Sequence, residues 1–250
     1  MALHFLVDEP PSDGAAVADA APGDDVVITG AEAHHAAVVR RVRVGEAVTV
    51  GDGSGVWLDG TVTEAAPKRV VVSVTARTTT SPAHPRIVLA QALAKGDRDE
   101  LAVQAATELG VDEIVPWQAA RSVSRWNDDK AAKGVARWQS IVREAAKQAH
   151  RAWVPAVTPP ADVRGLARRA AGAVVLVLEP TASVALSAVA VADAAEIVLV
   201  VGPEGGLAPE EITTLTDAGA IAVRLGDTVL RTSTAGPAAL AVLNARLGRW

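Results

Sequence analysis

The chain has 250 residues, half of them hydrophobic and 21% charged, enough for one large core or two modest ones, which excludes disorder as the dominant state. It contains no cysteine, so disulfides, thiolate metal sites and cysteine nucleophiles are excluded, and the composition fits a reducing compartment. The net charge of -5 argues against a generally basic polyanion binder, but charge is segregated: residues 1–75 carry 5 Lys+Arg against 11 Asp+Glu, residues 121–169 carry 11 against 4. The first residues lack the basic and apolar regions of a signal peptide, and no apolar run approaches the roughly 20 residues of a membrane helix. The reading is therefore cytoplasmic, with no membrane partner.

Residues 3–7 read as a short strand, and the Pro, Ala, Gly and Asp of 8–25 as a loop. From 26 to 76 short strands alternate with turns: VVIT, AVTVGDG, VWLDGTVTEA and RVVVSVTA. This pattern predicts a small β-barrel or sandwich, interrupted by one helix around AEAHHAAVVRRV. TTTSPAHP reads as a linker over 78–85, separating residues 1–77 from 86–250. Beyond it, the strand RIVLAQAL, the helix DRDELAVQAATELG and the strand VDEIVPWQ open an alternation that runs to the end. AVVLVLEP and EIVLVVGPEGG read as buried strands, and the whole predicts an α/β fold on a mostly parallel sheet.

A helix from about 129 to 152, capped by Asn127 or Asp128, gathers Lys130, Lys133, Arg137, Arg143, Lys147 and Arg151 on one face. That stripe is either a polyanion-facing surface or a solvated helix face. His34 and His35, with Arg40, Arg41 and Arg43 close by, pose the same choice, as do Lys95 and Arg98. With no tyrosine and a single phenylalanine, base stacking would fall to Trp57, Trp117, Trp126, Trp138 or Trp153.

The stretch VLVVGPEGGLAPEEI carries the strongest local signal: a strand, a glycine turn, then a helix opened by Pro209, Glu210 and Glu211 behind the weak cap Ala208. It holds neither a P-loop lysine nor Gly-x-Gly-x-x-Gly. Glu204 inside the turn would repel a pyrophosphate, so a neutral or cationic nucleotide-like ligand fits better. Two further stretches, LVLEP at 176–180 and LGDTVLRTSTAGPAAL at 225–240, place an acid and an arginine where further strands are expected to end. Three such ends converge at the C-terminal edge of a parallel sheet, where α/β proteins bind ligands.

These stretches together resemble the RsmE family of ribosomal RNA methyltransferases, within the SPOUT superfamily. LAKGDRDELAVQAATELGVDEIVPWQAARSV, REAAKQAHRAWVPAV and HHAAVVRRVRVGEAVTVGDGSG resemble the family in the same order, so nearly the whole chain is covered. The resemblance implies an N-terminal PUA-like β-barrel that helps hold RNA, and a C-terminal SPOUT-type, trefoil-knotted sheet with the knot around 224–245. It implies S-adenosylmethionine as cofactor, a cation at sulfur without phosphate, and no metal. The implied reaction is methylation of N3 of a uridine in the decoding region of 16S ribosomal RNA in the 30S subunit, carried out by a homodimer. The cofactor residues it implies are Leu178, Glu179 and Pro180; Gly202, Pro203, Gly205, Gly206 and Leu207; and Leu225, Gly226, Leu230, Thr232 and Ala235.

Uridine N3 must lose its proton before or during attack, and a fixed guanidinium can stabilise the resulting anion; Arg231 is the candidate, with Arg151 and Arg121 behind it. Arg40, Arg43, Arg121 and Arg151 are the candidate RNA contacts. Many family members carry Thr-Glu-Thr-Ala after this arginine, whereas this chain has Thr232, Ser233, Thr234 and Ala235. Glu204, a water, or no side-chain base then takes the proton. Three competing readings are another SPOUT RNA methyltransferase acting on a ribose oxygen, a non-catalytic RNA-binding assembly factor, and a plain nucleotide-binding domain.

Overall fold

The computed structural model describes residues 2–7 and 13–250, with the backbone alone at Asp128. Residues 8–12 of the predicted loop, and a side-chain cap from Asp128, lie outside what it describes. The chain forms two compact units, Met1–Pro82 with Ala146–Val154, and Ala83–Ala145 with Pro155–Trp250.

The first unit is a five-stranded sheet of β1 (Leu3–Leu6), β2 (Asp25–Thr29), β3 (Ala47–Gly51), β4 (Val56–Ala66) and β5 (Arg69–Thr79), in the order β1-β3-β4-β5-β2. β1 runs parallel to β3, and the other neighbours are antiparallel. Period-two alternation sends Val56, Leu58 and Val62 of β4 inward, where they join Phe5, Ile28, Val50, Val70 and Val72 in the core. The predicted helix is α1 (Gly30–His34), which widens into a π-type turn over His35–Val39. β5 continues to Thr79, so the predicted linker loses its first two residues to a strand.

Assigning all of 86–250 to the second domain needs correcting at Ala146–Val154, which join the first unit. The Gly55 N–H donates to the Ala152 carbonyl and the Val154 N–H to the Gly53 carbonyl, each at 2.9 Å, so the Gly-Asp-Gly turn is zipped to a segment about a hundred residues away. The Trp153 indole N–H donates to the Thr80 carbonyl at 2.8 Å.

The second unit runs β6 (Arg86–Ala92), α2 (Arg98–Glu108), β7 (Glu113–Trp117), α3 (Asp128–Gln148, its last turn in the first unit), β8 (Ala156–Val157), α4 (Val163–Arg169), β9 (Val174–Leu178), β10 (Val184–Ala185), β11 (Glu196–Val201), α5 (Pro209–Asp217), β12 (Ile221–Arg224) and α6 (Thr232–Arg246). Its sheet has the order β10-β12-β9-β11-β6-β7-β8, and every pairing is parallel. Strands that pair on both edges and are covered on both faces read as unbroken apolar runs, and Ile87–Ala90 and Ile197–Val201 are buried throughout. The order is not that of a chain laying strands outward. β11 enters between β6 and β9, and β12 between β9 and β10, slots bounded by strands that come earlier in the chain.

At the N-terminal edge, Arg86 and Arg169 each bridge Glu113 and Glu196, so buried Glu113 has two guanidinium partners. No helix among the described residues is long and apolar enough to cross a membrane.

Candidate active site

Because the sheet is parallel, β9, β11 and β12 all end at one edge, at Leu178, Val201 and Arg224. The loops that follow enclose a pocket of about 380 Å³. Leu178, Glu179 and Pro180 supply one wall; Gly202, Pro203, Glu204, Gly206 and Leu207 the second; Leu225, Gly226, Leu230, Arg231, Thr232 and Ala235 the third. All but one of the residues the resemblance points to are thus brought together. Gly205 is the exception: it faces away, and its carbonyl accepts from Arg121 Nη1 at 3.2 Å. Arg98, Val201, Val223 and Arg224 also line the pocket without a local motif that marks them for it, and Thr228 and Val229 come with the 225–240 stretch.

Each wall is held by specific bonds. The glycine turn closes when the Gly206 N–H donates to the Pro203 carbonyl at 2.9 Å, with Gly206 at φ +69, a conformation that favours glycine. A Cβ on Gly202 would stand 3.1 Å from Leu207 Cγ, so any larger residue there makes Leu207 shift by a few tenths of an ångström. The carbonyl of Val201 is fixed by the Trp117 indole N–H at 2.9 Å. Thr232 is buried; its hydroxyl donates to the Gly202 carbonyl at 2.8 Å and accepts from Gln91 Nε2 at 3.0 Å, pinning the start of α6 to the end of β11.

Ala208 has no capping side chain, and Glu211 compensates. One of its carboxylate oxygens accepts from the Ala208 N–H at 2.9 Å and the other from the Ala120 N–H at 2.7 Å. Glu211 therefore serves the helix start, outside the pocket.

Glu204 is similarly committed. Its Oε1 accepts from the Lys95 N–H at 2.9 Å and from Arg98 Nη1 at 3.2 Å, tying the glycine turn to the loop after β6. Burial alone would raise this carboxyl, but its own and the Lys95 backbone N–H groups, with the Arg98 charge, outweigh that and hold it below the usual carboxylate range. The loop after β6 is anchored in turn by Asp99, which accepts from the Ala94 N–H at 3.0 Å and whose carboxyl burial pushes up.

Arg231 does not sit at a strand-to-helix junction as its sequence context suggests. The strand is the preceding IAVR, and 225–231 is a loop that delivers Arg231 as the N-cap of α6. Its side chain is exposed at the pocket and has no hydrogen-bond or ion-pair partner among the described residues. The pocket thus offers backbone groups, apolar walls, a committed carboxylate and an uncommitted guanidinium, suited to a bent nucleoside with a cationic centre and to a substrate that develops negative charge.

The other charged candidates separate. Arg40 and Arg43 are exposed on the first unit, Arg121 is exposed beside Gly205, and Arg151 is half-buried. The basic stripe of α3 does not survive as one solvated face. Lys147 is buried with its Nζ 3.0 Å from Glu32 Oε2, and Arg137 forms a two-pronged bridge to Glu100. Trp117 and Trp138 are core residues, Trp126 meets Trp138 edge-on at 5.2 Å, and Trp57 stacks on His4. Among the described residues no cluster of His, Cys, Asp and Glu could hold a metal ion.

Residues 81–244 match the family described as an RNA methyltransferase domain, and residues 28–75 match that of an RNA methyltransferase PUA domain. The chain is 44% identical over 255 residues to the ribosomal RNA small subunit methyltransferase E of Mycobacterium tuberculosis, covering 100% of this chain and 94% of that protein. It is 32% identical over 226 residues to the protein of the same name from Bacillus subtilis, covering 87% and 88%. Its fold is similar to that of the Neisseria gonorrhoeae ribosomal RNA small subunit methyltransferase E bound to S-adenosyl methionine, with a TM-score of 0.85, 30% identity and 98% of each chain covered.

Proposed function

The chain belongs to the RsmE family of S-adenosylmethionine-dependent ribosomal RNA methyltransferases, and from that premise we propose that it methylates N3 of a uridine in the decoding region of 16S RNA. The observation that carries the reading is the convergence of three strand-end loops on one phosphate-motif-free pocket with an unpaired guanidinium at its edge. The residues present fit S-adenosylmethionine: backbone-rich walls suit the adenosine, and Leu178, Leu225 and Leu230 provide apolar surface. When bound, the cofactor supplies a methyl group made electrophilic by the sulfonium.

The chain's own work is to orient and to manage charge. The turn from Gly202 to Leu207 and the loop before Arg231 hold the two reactants in line. Arg231 stabilises the uracil anion, whose charge spreads over O2 and O4, and so favours loss of the N3 proton. Glu204 is better suited to holding than to catalysis, since a carboxylate already bonded twice and kept below its usual range is a weak base. With Ser233 where many relatives have Glu, the proton passes to water.

Interleaving of β11 and β12 between earlier strands supports a trefoil knot at the pocket, and the family supports a homodimer, the 30S subunit as partner and a cytoplasmic setting. The decisive experiment is methyl transfer from labelled S-adenosylmethionine to 30S subunits lacking the modification, followed by nucleoside analysis. The expected product is 3-methyluridine. A ribose-methylated nucleoside would keep the fold and overturn the substrate, and RNA binding without transfer would favour an assembly factor.

A further inference from the structure

The buried run of β6, Ile87–Ala92, is apolar except at Gln91. Gln91 is fully buried, paired across the sheet with Val201 of β11 and Pro116 of β7, and it lies outside the lining of the pocket. Its amide oxygen has no partner among the described residues. Buried acceptors are nearly always paired in folded proteins, so for the fold alone an apolar side chain of similar length would serve better. The amide nitrogen is where the residue is engaged.

The Thr232 hydroxyl has a single proton, which goes to the Gly202 carbonyl at 2.8 Å. Only a donor can then complete that hydroxyl. Gln91 Nε2 is the donor at 3.0 Å, and it also donates to the Ala92 carbonyl at 3.3 Å, so two acceptors fix which way the amide points. The series Gln91, Thr232, Gly202 thereby joins β6, the first residue of α6 and the turn after β11. Four residues on, along the same face of α6, a Cβ on Gly236 would stand 3.0 Å from Leu89 and 3.5 Å from Val201, so the helix sits directly on β6 and β11 there. Apolar contact is non-directional and sets only how near α6 lies; the hydrogen bonds set where it begins. It begins at Arg231, whose carbonyl accepts from the Thr234 and Ala235 N–H groups at 2.8 and 2.9 Å. The Arg231 backbone therefore goes wherever the first turn of α6 goes.

We propose that Gln91 is a positioning residue for methyl transfer: through Thr232 it sets the place of the Arg231 guanidinium relative to the Gly202 turn, and so relative to the methyl donor held against that turn. Gln91 itself touches neither cofactor nor substrate. The inference rests on the reading of Arg231 as the group that stabilises the uracil anion. Transfer in line is sensitive to a misplacement of about 1 Å, which is the scale of movement that a lost hydrogen bond at the start of α6 allows.

The test is single-turnover methyl transfer to 30S subunits lacking the modification, at saturating S-adenosylmethionine, by the full chain carrying Gln91→Met alone or together with Arg231→Ala. Cofactor affinity and the unfolding midpoint are measured on the same variants. Gln91→Met removes the donor at nearly constant length. It is expected to lower the transfer rate about tenfold, with cofactor affinity near wild type and the midpoint unchanged or raised. On the Arg231→Ala background it is expected to cost less than about twofold more, because the group it places is gone. Thr232→Val, which deletes the hydroxyl at constant shape, is expected to reproduce the loss and to add little to Gln91→Met, and it carries the test if Gln91→Met fails to fold. A loss as large on Arg231→Ala as on wild type, cofactor affinity that falls in step with the rate, or a lower midpoint with an unchanged rate each overturns the positioning role and leaves the methyltransferase reading intact. Wild type that binds S-adenosylmethionine and transfers no methyl group overturns both.

Discussion

The pocket over β9, β11 and β12 and the basic face of α3 are equally conspicuous in the sequence, and they end differently. The pocket forms where the glycine, proline and arginine loops imply. The basic face is partly drawn into the protein: Lys147 goes to Glu32, 115 residues away, and Arg137 to Glu100, 37 residues away. A glycine turn is set by its own backbone, so local sequence reports it. A charge is set by its partner, which lies elsewhere in the chain. Arg231 ends with no side-chain partner among the described residues and Lys147 with a buried one, although both read from the sequence as candidates to meet negative charge.

Two substitutions put that contrast under strain. Arg231→Ala is expected to lower kcat for methyl transfer by about a hundredfold or more, the usual loss when one donor to a developing anion is removed, with S-adenosylmethionine affinity nearly unchanged. An equal loss of cofactor affinity would make Arg231 a cofactor residue and remove it from the chemistry. Lys147→Met leaves Glu32 without its cation. Its expected effect is on stability, about 3 kcal/mol by chemical denaturation, as for other broken buried pairs. An unchanged midpoint with weaker RNA binding would restore the polyanion-facing stripe.

Local legibility extends to most of the fold. β4, β5, β6 and β11 are readable because period-two alternation or an unbroken apolar run is written within a few residues. β8 and β10 are not, because two residues at a sheet edge carry no period. β12 is hidden because TVLR, just downstream, mimics a strand while IAVR forms one. Placement of β11 and β12 between earlier strands leaves no trace in periodicity, since any buried parallel strand reads the same in any slot. In the pocket, Arg98 reads from the sequence only as a cation facing RNA or water, because it belongs to α2 and reaches the site through Glu204. The pull of 146–154 into the first unit rests on backbone hydrogen bonds, which no side-chain pattern announces.

A smaller effect sharpens the comparison from the side of His4. Burial lowers its folded value to about 3, below the unfolded histidine value of about 6.5, so only the unfolded chain takes up a proton between them. Stability of the first unit is then full above pH 6.5 and falls as pH drops toward 3. Going from pH 7 to pH 5 costs about 2 kcal/mol. His150 and Lys147 are the cationic neighbours in that balance, and Glu32 offsets Lys147. Hydrogen exchange of the β1 and β3 amides at the two pH values should show accelerated opening at the lower one, and His4→Asn should remove most of the difference. Equal acceleration in the variant would assign the acid sensitivity to another group.

Arg137→Ala closes the series with the smallest expected change. Its guanidinium grips Glu100 with Nε and Nη2, the better kind of surface bridge, yet it is 63% exposed and open to screening. Pairs of that kind contribute little to stability, and less as salt rises. Because Arg137 is already paired, truncating it should leave methyl-transfer rates and RNA affinity near wild type, with a slight loss of stability that high salt erases. Arg231 is the same residue type at the opposite extreme, unpaired in the protein and therefore free for a substrate. If Arg137→Ala instead lowers RNA affinity as far as Arg40→Ala does, then ion-paired arginines are also read by RNA, and commitment to a protein partner no longer separates the structural cations from the functional ones.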